Sequence, residues 1–186
     1  MNEFRAFSQE EILREYSTPS IESHRLIVNE STLPSAQRVG YVFLSHSNKD
    51  KALARAFAEM MIRRGTAVYI DLYDSTLSLP PSKEMAQQLR ERIKGARHII
   101  LLATQNSVHG STWCPWEVGV GDGLGREVCV AITKGADGVA YGAEYLNLYP
   151  ALSTRIDNYS GRLRMALMEC SQRLCGIENL HFSRWF

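Results

Sequence analysis

Apolar residues fall along the chain in short runs separated by polar segments, and the runs alternate between two periods. Gly40-Tyr-Val-Phe-Leu44 is a continuous apolar run that reads as a first buried strand, and it empties into the polar loop Ser45-His-Ser-Asn-Lys-Asp50. In Lys51–Arg64 the apolar residues Leu53, Ala56, Phe57, Met60 and Met61 recur at three and four, which predicts a helix with one core-facing stripe. Gly65 suits the left-handed position after its C-cap. Thr66-Ala-Val-Tyr-Ile70 reads as the second strand, closing on Asp71. A long loop, Leu72 to Ser82, leads to a helix over Lys83–Lys94 with Met85, Leu89 and Ile93 at four-residue spacing, stopped by Gly95. His98–Ala103 is the third strand, Ser111 or Thr112 opens the next helix, and Val128–Ile132 is the fourth strand. Strands alternating with helices through short connections predict βαβ units, a central parallel sheet flanked by helices, and an α/β fold.

The two ends are less regular. Ser8-Gln-Glu-Glu11 has the form of a capping box and predicts a short helix to about Tyr16. A polar run with Pro19 and Pro34 follows and reads as linker, with Arg25-Leu-Ile-Val28 as a short strand or an anchoring patch. The expected division is therefore residues 1–38 as helix and linker, and 39–186 as the domain. Tyr141–Pro150 reads as a short strand or loop. Asn158 to Cys175 carries Leu163, Leu167, Cys170 and Leu174 on one side and reads as a C-terminal helix, and the aromatic tail His181–Phe186 is expected to fold back onto the body.

Composition narrows the partners. Twenty-one basic residues against 20 acidic leave a net charge of +1, so neither nucleic acid nor an anionic membrane is the expected partner. The longest apolar runs are far too short to span a bilayer, and the first residues lack the basic-then-apolar pattern of a secretory signal. Four cysteines (Cys114, Cys129, Cys170, Cys175) form no CxxC pair and no zinc spacing, which fits a reducing, cytoplasmic setting and no metal site. Gly119-Val-Gly-Asp-Gly-Leu-Gly125 has no GxGxxG register and precedes a strand instead of following one, so it predicts close helix packing that frays into a turn.

Chemistry collects at the carboxyl edge of the expected sheet. The first strand delivers Ser45, His46 and Ser47, the second delivers Asp71 and Asp74, and the turn after the third delivers Ser111-Thr-Trp-Cys-Pro-Trp-Glu117. Trp113 and Glu117 are four apart and share one helix face near its N-terminus. Hydroxyls, an imidazole, carboxylates and an aromatic plate around one crevice suit a polyhydroxylated ligand with a flat base, a nucleoside or dinucleotide. The same pattern also fits ordinary packing aromatics, with Glu117 complementing the helix dipole and Asp71 capping a turn.

Four stretches in order resemble the boxes of the Toll/interleukin-1 receptor (TIR) domain family. They are Tyr41-Val-Phe-Leu-Ser-His-Ser-Asn-Lys-Asp50, Val68-Tyr-Ile-Asp71 with the loop Leu79-Pro-Pro-Ser82, Gly95-Ala-Arg-His-Ile-Ile-Leu-Leu-Ala103, and the S-x-W-C-x-x-E box ending at Glu117. The resemblance covers roughly 39–133 and implies a flavodoxin-like three-layer fold. In enzymatic members it implies cleavage of the nicotinamide–ribose bond of NAD, yielding ADP-ribose or a cyclic ADP-ribose signal. On that resemblance Glu117 matches the catalytic glutamate, Trp113 an aromatic that folds the adenine back in cyclising members, and Ser45, His46 and Asp71 positions lining the NAD pocket. No cofactor beyond NAD as substrate is implied. Self-association through TIR–TIR contacts is implied, as is a separate effector protein sensing the nucleotide, by analogy with anti-phage systems of the Thoeris type. The chain departs from the family at Pro81-Ser82, where the loop usually carries glycine, and this predicts an altered loop or self-association surface.

Three rival readings follow from the same residues. A non-catalytic TIR–TIR scaffold would bind other such domains and turn nothing over. A nucleoside deoxyribosyltransferase-like enzyme would set a carboxylate against a glycosidic carbon of a free nucleoside. A phospho-receiver domain needs paired acids after the first strand and an aspartate after the third, where this chain has Ser45/His46 and Thr104/Gln105, and is set aside.

Overall fold

The computed structural model describes residues 6–21, 23–29, 33, 40–77, 82–156 and 163–168 of the chain. Its centre is β5 (His98–Ala103), whose six residues are all buried. On one side β5 pairs with β3 (Val42–Ser45), β3 with β4 (Val68–Tyr69), and β4 with β2 (Ile27–Val28). On the other it pairs with β6 (Glu127–Lys134), and β6 with β7 (Ala151–Ile156), every one of these pairings being parallel. β1 (Phe7–Ser8) adds a parallel contact at the far end of β6.

Side chains of successive strand residues point to opposite faces, and the core divides accordingly into two clusters. Val42, Leu44, Ile100, Leu102, Cys129 and Ala131 face one way, against α3 (Lys51–Ile62) and α1 (Gln9–Tyr16). Phe43, Ile99, Leu101, Ala103, Val128 and Val130 face the other, against α4 (Lys83–Gly95) and α6 (Trp113–Gly123). Helix, sheet and helix make the three layers expected from the βαβ rhythm. A parallel sheet buried on both faces explains why its strands read as unbroken apolar runs.

The N-terminal segment is part of this body. Ser8 Oγ caps α1 by accepting from the Glu11 N–H, Phe7 and Ile12 are core residues, and Phe7 meets Phe57 edge to face. Glu59, buried on α3, accepts hydrogen bonds from the Ser20 N–H at 2.9 Å, from Ser23 Oγ, and from Arg63 Nε at 2.8 Å. The short helix α2 (Ser23–Leu26) then leads into β2, so the stretch around Leu26-Ile-Val28 is a strand that anchors to β4.

Two departures from the sequence-based expectation stand out. A five-residue helix, α5 (Gln105–His109), precedes α6, and its N-cap Thr104 forms a reciprocal capping box with Ser107. Its helical stripe is too short to register as a period. The expected C-terminal helix is contradicted at Leu163–Met168, which forms β8, antiparallel to β7 from Ala151↔Met168 to Ile156↔Leu163. Leu163 and Leu167 are compatible with helical spacing, but the open edge of β7 offers backbone partners that a helix there would leave unpaired. The remainder of that expected helix, the aromatic tail 181–186 and the loop prolines Pro80 and Pro81 lie outside the described residues.

Candidate active site

The sheet order β4-β3-β5 means that the chain leaves β3 to one side and later crosses to the other. The carboxyl ends of β3 and β5 therefore flank a switch point, the place where open α/β sheets hold ligands. β3 ends at Ser45 and the backbone continues into His46 and Ser47. Ser47 Oγ accepts from the Lys49 N–H and starts a 3-10 turn, Asn48–Asp50, that feeds α3. Asp50 accepts from Thr104 Oγ1 at 2.5 Å and from Asn106 Nδ2 at 2.6 Å, so the β3 loop and the start of α5 are fastened together.

α6 brings Glu117 to this point. Ser111 Oγ accepts from the Cys114 N–H at 3.2 Å and Pro115 sits in the first turn, where its missing N–H leaves no intrahelical bond unmade. Cys114, Glu117, Val118 and Gly121 form the buried face of the helix. At Gly121 a Cβ would stand 2.7 Å from Ile99 Cγ1, so only glycine lets α6 approach β5 this closely. Gly119 and Gly123 have open space around them, so close packing accounts for one glycine of that run.

Glu117 is 6% exposed, and Ser45 Oγ donates to its Oε2 at 2.5 Å. Burial pushes its carboxyl up to about 8; the Ser45 hydrogen bond opposes the rise and the charge of Asp71 adds to it. A carboxyl group whose ionisation burial displaces this far, beside a second carboxylate at a switch point, belongs to the class found at reaction centres. His46, 8% exposed, sets Nδ1 3.3 Å from the Leu44 carbonyl oxygen and Nε2 3.4 Å from Asp71 Oδ1. Asp71 opens a 3-10 turn, Asp71–Tyr73, directly after β4.

Ser45, His46, Asp71 and Glu117 thus come together by contact or by charge. Trp113 stands one helical turn before Glu117, half-buried, with its ring edge-on to Trp116 at 5.3 Å and 83°. Asp74 is drawn elsewhere: it accepts from Tyr69 Oη at 2.7 Å and Arg92 Nε at 2.9 Å, and so pins the loop after β4. Cys114 is fully buried, and burial together with nearby Glu117 pushes its thiol up to about 11, the opposite of an activated nucleophile.

Tyr145 was not legible from sequence. It lies on a 3-10 turn, Glu144–Leu148, and its buried hydroxyl has no hydrogen-bond partner among the described residues. Burial and nearby Cys114 both raise its phenol, which puts it beside the start of α6. No local pattern marks such a residue, because only the return of the chain after β6 brings it there. Among the described residues there is no cluster of three or more His, Cys, Asp or Glu side chains able to hold a metal ion, and no helix long and apolar enough to cross a membrane.

A family model described as TIR domain matches residues 42–135, half of the chain. The chain is also 35% identical over 113 residues to a Bacillus cereus (strain MSX-D12) protein named "Probable 3' cyclic ADP-D-ribose synthase ThsB'". That alignment takes in 59% of this chain and spans 58% of the relative's length.

Proposed function

We propose, on the premise that this chain belongs to the TIR domain family, that it cleaves the bond between nicotinamide and ribose in NAD, with Glu117 as the catalytic residue. The observation that carries the reading is Glu117 itself, a buried carboxyl at the switch point, hydrogen-bonded by Ser45.

The reaction needs few groups. The glycosidic C–N bond breaks with its electron pair passing to the cationic pyridinium nitrogen, and nicotinamide departs neutral. No general acid is required. Positive charge develops on the ribose, and one carboxylate held against it in a site shielded from water stabilises that charge. The substrate's own cation favours the ionised form of Glu117, offsetting the burial that raises its pKa in the empty site. Capture of the ribose carbon by water gives ADP-ribose; capture by an oxygen or nitrogen of the same molecule gives a cyclic product. Trp113, one turn from Glu117, supplies a face on which the adenine can stack. Ser45, His46 and Asp71 bind the substrate around it.

The relative's name is that of a cyclic ADP-ribose synthase, and it supports a cyclic nucleotide as the product here. Such a product implies a separate protein that senses it, and association between copies of this domain completes the proposal. A non-catalytic scaffold has no use for a buried, raised carboxyl at the switch point. Incubation with NAD, with products resolved by liquid chromatography and mass spectrometry, is expected to release nicotinamide and one nucleotide. Trp113→Ala is expected to move that nucleotide from cyclic toward linear. Undiminished NAD with the folded wild-type protein at high concentration would count against the proposal.

A further inference from the structure

Asp74, a buried carboxylate on the loop after β4, is gripped from two packed elements. Its Oδ2 accepts from Tyr69 Oη at the end of β4, at 2.7 Å, and from Arg92 Nε on α4, at 2.9 Å. Its Oδ1 accepts from the N–H and the hydroxyl of Thr76. Burial works against the ionised carboxyl, but the bonds from Thr76, Tyr69 and Arg92 outweigh it and hold the group below its usual range. Tyr69 is itself fixed in the core, stacked on Phe43 at 5.2 Å. Between Tyr69 and Asp74 lies the turn Asp71–Tyr73, and the Asp74 N–H donates to the Asp71 carbonyl oxygen at 3.0 Å. The turn is therefore closed at both ends.

We propose that Arg92 and Asp74 are positioning residues for the reaction: they hold the turn after β4 so that the Asp71 carboxylate stays against His46 at the edge of the site. The inference deepens the NAD-cleaving reading and rests on it. Asp71 pairs with His46 Nε2 at 3.4 Å, but its side chain is 30% exposed, so a route to water lies open. Around Glu117 stand Ser45 and His46 from the end of β3, Asp71 from the turn, and on α6 Cys114, with Tyr145 beside it. Asp71 is the group among them whose charge opposes ionisation of Glu117. A free turn would relieve that repulsion by carrying Asp71 outward. Arg92 prevents this with a planar fork that spans Asp74 and, at 3.3 Å, Thr76 Oγ1.

The test reads Glu117 directly, by carbon-13 NMR titration of its carboxyl carbon, assigned through its absence in Glu117→Gln, with NAD turnover measured in parallel. Asp71→Asn removes the opposing charge and is expected to lower the midpoint by about half a pH unit or more. Arg92→Met is expected to lower it too. The sign is diagnostic, because loss of a cation by itself raises a carboxyl midpoint, whereas departure of Asp71 lowers it. Added to Asp71→Asn, Arg92→Met is expected to shift the midpoint by less than about 0.2 pH unit, since both act through one group. Tyr69→Phe keeps the core shape and removes one donor to Asp74; it is the second variant should Arg92→Met not fold, with a smaller fall expected. A midpoint unchanged or raised in the folded variant overturns the proposal, as does a fall just as large when Asp71→Asn is already present. Wild-type cleavage of NAD with a midpoint indifferent to Arg92 sinks this inference alone. A fall that depends on Asp71, with no cleavage by the wild type, sinks the enzymatic reading and leaves the clamp on Asp71 standing.

Discussion

Ser45 Oγ donates to Glu117 Oε2 at 2.5 Å across the gap between β3 and α6, joining residues 72 positions apart. The bond ties the end of one strand to the carboxyl group on which the proposed chemistry depends, and it opposes the effect of burial on that group. Ser45→Ala removes a donor that favours the ionised form, so the carboxyl should ionise at still higher pH. The acidic limb of the kcat/KM profile for NAD should move upward by about one pH unit. A profile that does not move would separate Ser45 from the ionisation of Glu117.

Glu117 also ties stability to pH. Its folded value of about 8 lies above the ordinary carboxyl value of 4.5, so between those values the folded chain holds a proton that the unfolded chain has lost. The contribution of this group to stability is therefore greatest below pH 4.5, declines as pH rises, and is fully unfavourable above about 8. Glu117→Gln, which keeps the shape and removes the charge, should abolish turnover and raise the melting temperature more at pH 8.5 than at pH 5. The scale is roughly 2–4 °C for each kcal/mol regained. An equal shift at both pH values would mean that Glu117 is not held protonated by the fold.

Gly121 sets how closely α6 lies on β5. Gly121→Ala places a methyl 2.7 Å from Ile99 Cγ1, and overpacking of that kind costs about 1–3 kcal/mol. Chemical denaturation should show that loss, and turnover should fall with it, because the helix that must shift carries Glu117. Gly119→Ala, with open space around its Cβ inside the same helix, is the control and should raise stability by about 0.5–1 kcal/mol.

Cys114→Ala should keep NAD turnover within about threefold of wild type while lowering stability by about 1 kcal/mol, the cost of a small buried side chain. Loss of activity in a folded Cys114→Ala protein would reopen the thiol as a participant.

The N-terminal segment is held at Glu59. Burial raises its carboxyl pKa, but hydrogen bonds from Ser23, Ser20 and Arg63 outweigh burial and hold it below its ordinary value. A depressed carboxyl stabilises the fold above its unfolded pKa, and that contribution is lost as pH falls through the folded value. Glu59→Ala should therefore expose residues 17–23 to limited proteolysis at pH 7, with a smaller difference from wild type near pH 3. Identical cleavage patterns at pH 7 would show that this anchor does not hold the segment.

The layers and the position of Glu117 were legible in the sequence because both follow from local patterns. Apolar runs such as His98–Ala103 mark doubly buried strands, and the S-x-W-C-x-x-E box marks the start of the helix that carries Glu117. What escaped depends on contacts distant in the chain. Tyr145 meets the site only through the return after β6, and Asp74 is claimed by Arg92, 18 residues on, so its place in a loop near the site said nothing of its partner. The strand at Leu163–Met168 carries leucines at helical spacing and is decided by the free edge of β7, a tertiary circumstance that no local period records. Likewise the Ser20–Glu59 hydrogen bond fastens a segment with linker composition onto α3.

The central claim is tested most directly by nicotinamide release from NAD with wild type and Glu117→Gln side by side, at equal high concentration, both verified as folded by circular dichroism. Release by the wild type, falling by at least about a thousandfold in the variant, is the predicted result for loss of the group that stabilises the ribose cation. Equal release by both proteins would contradict it, and would place the cleavage chemistry on some group other than Glu117.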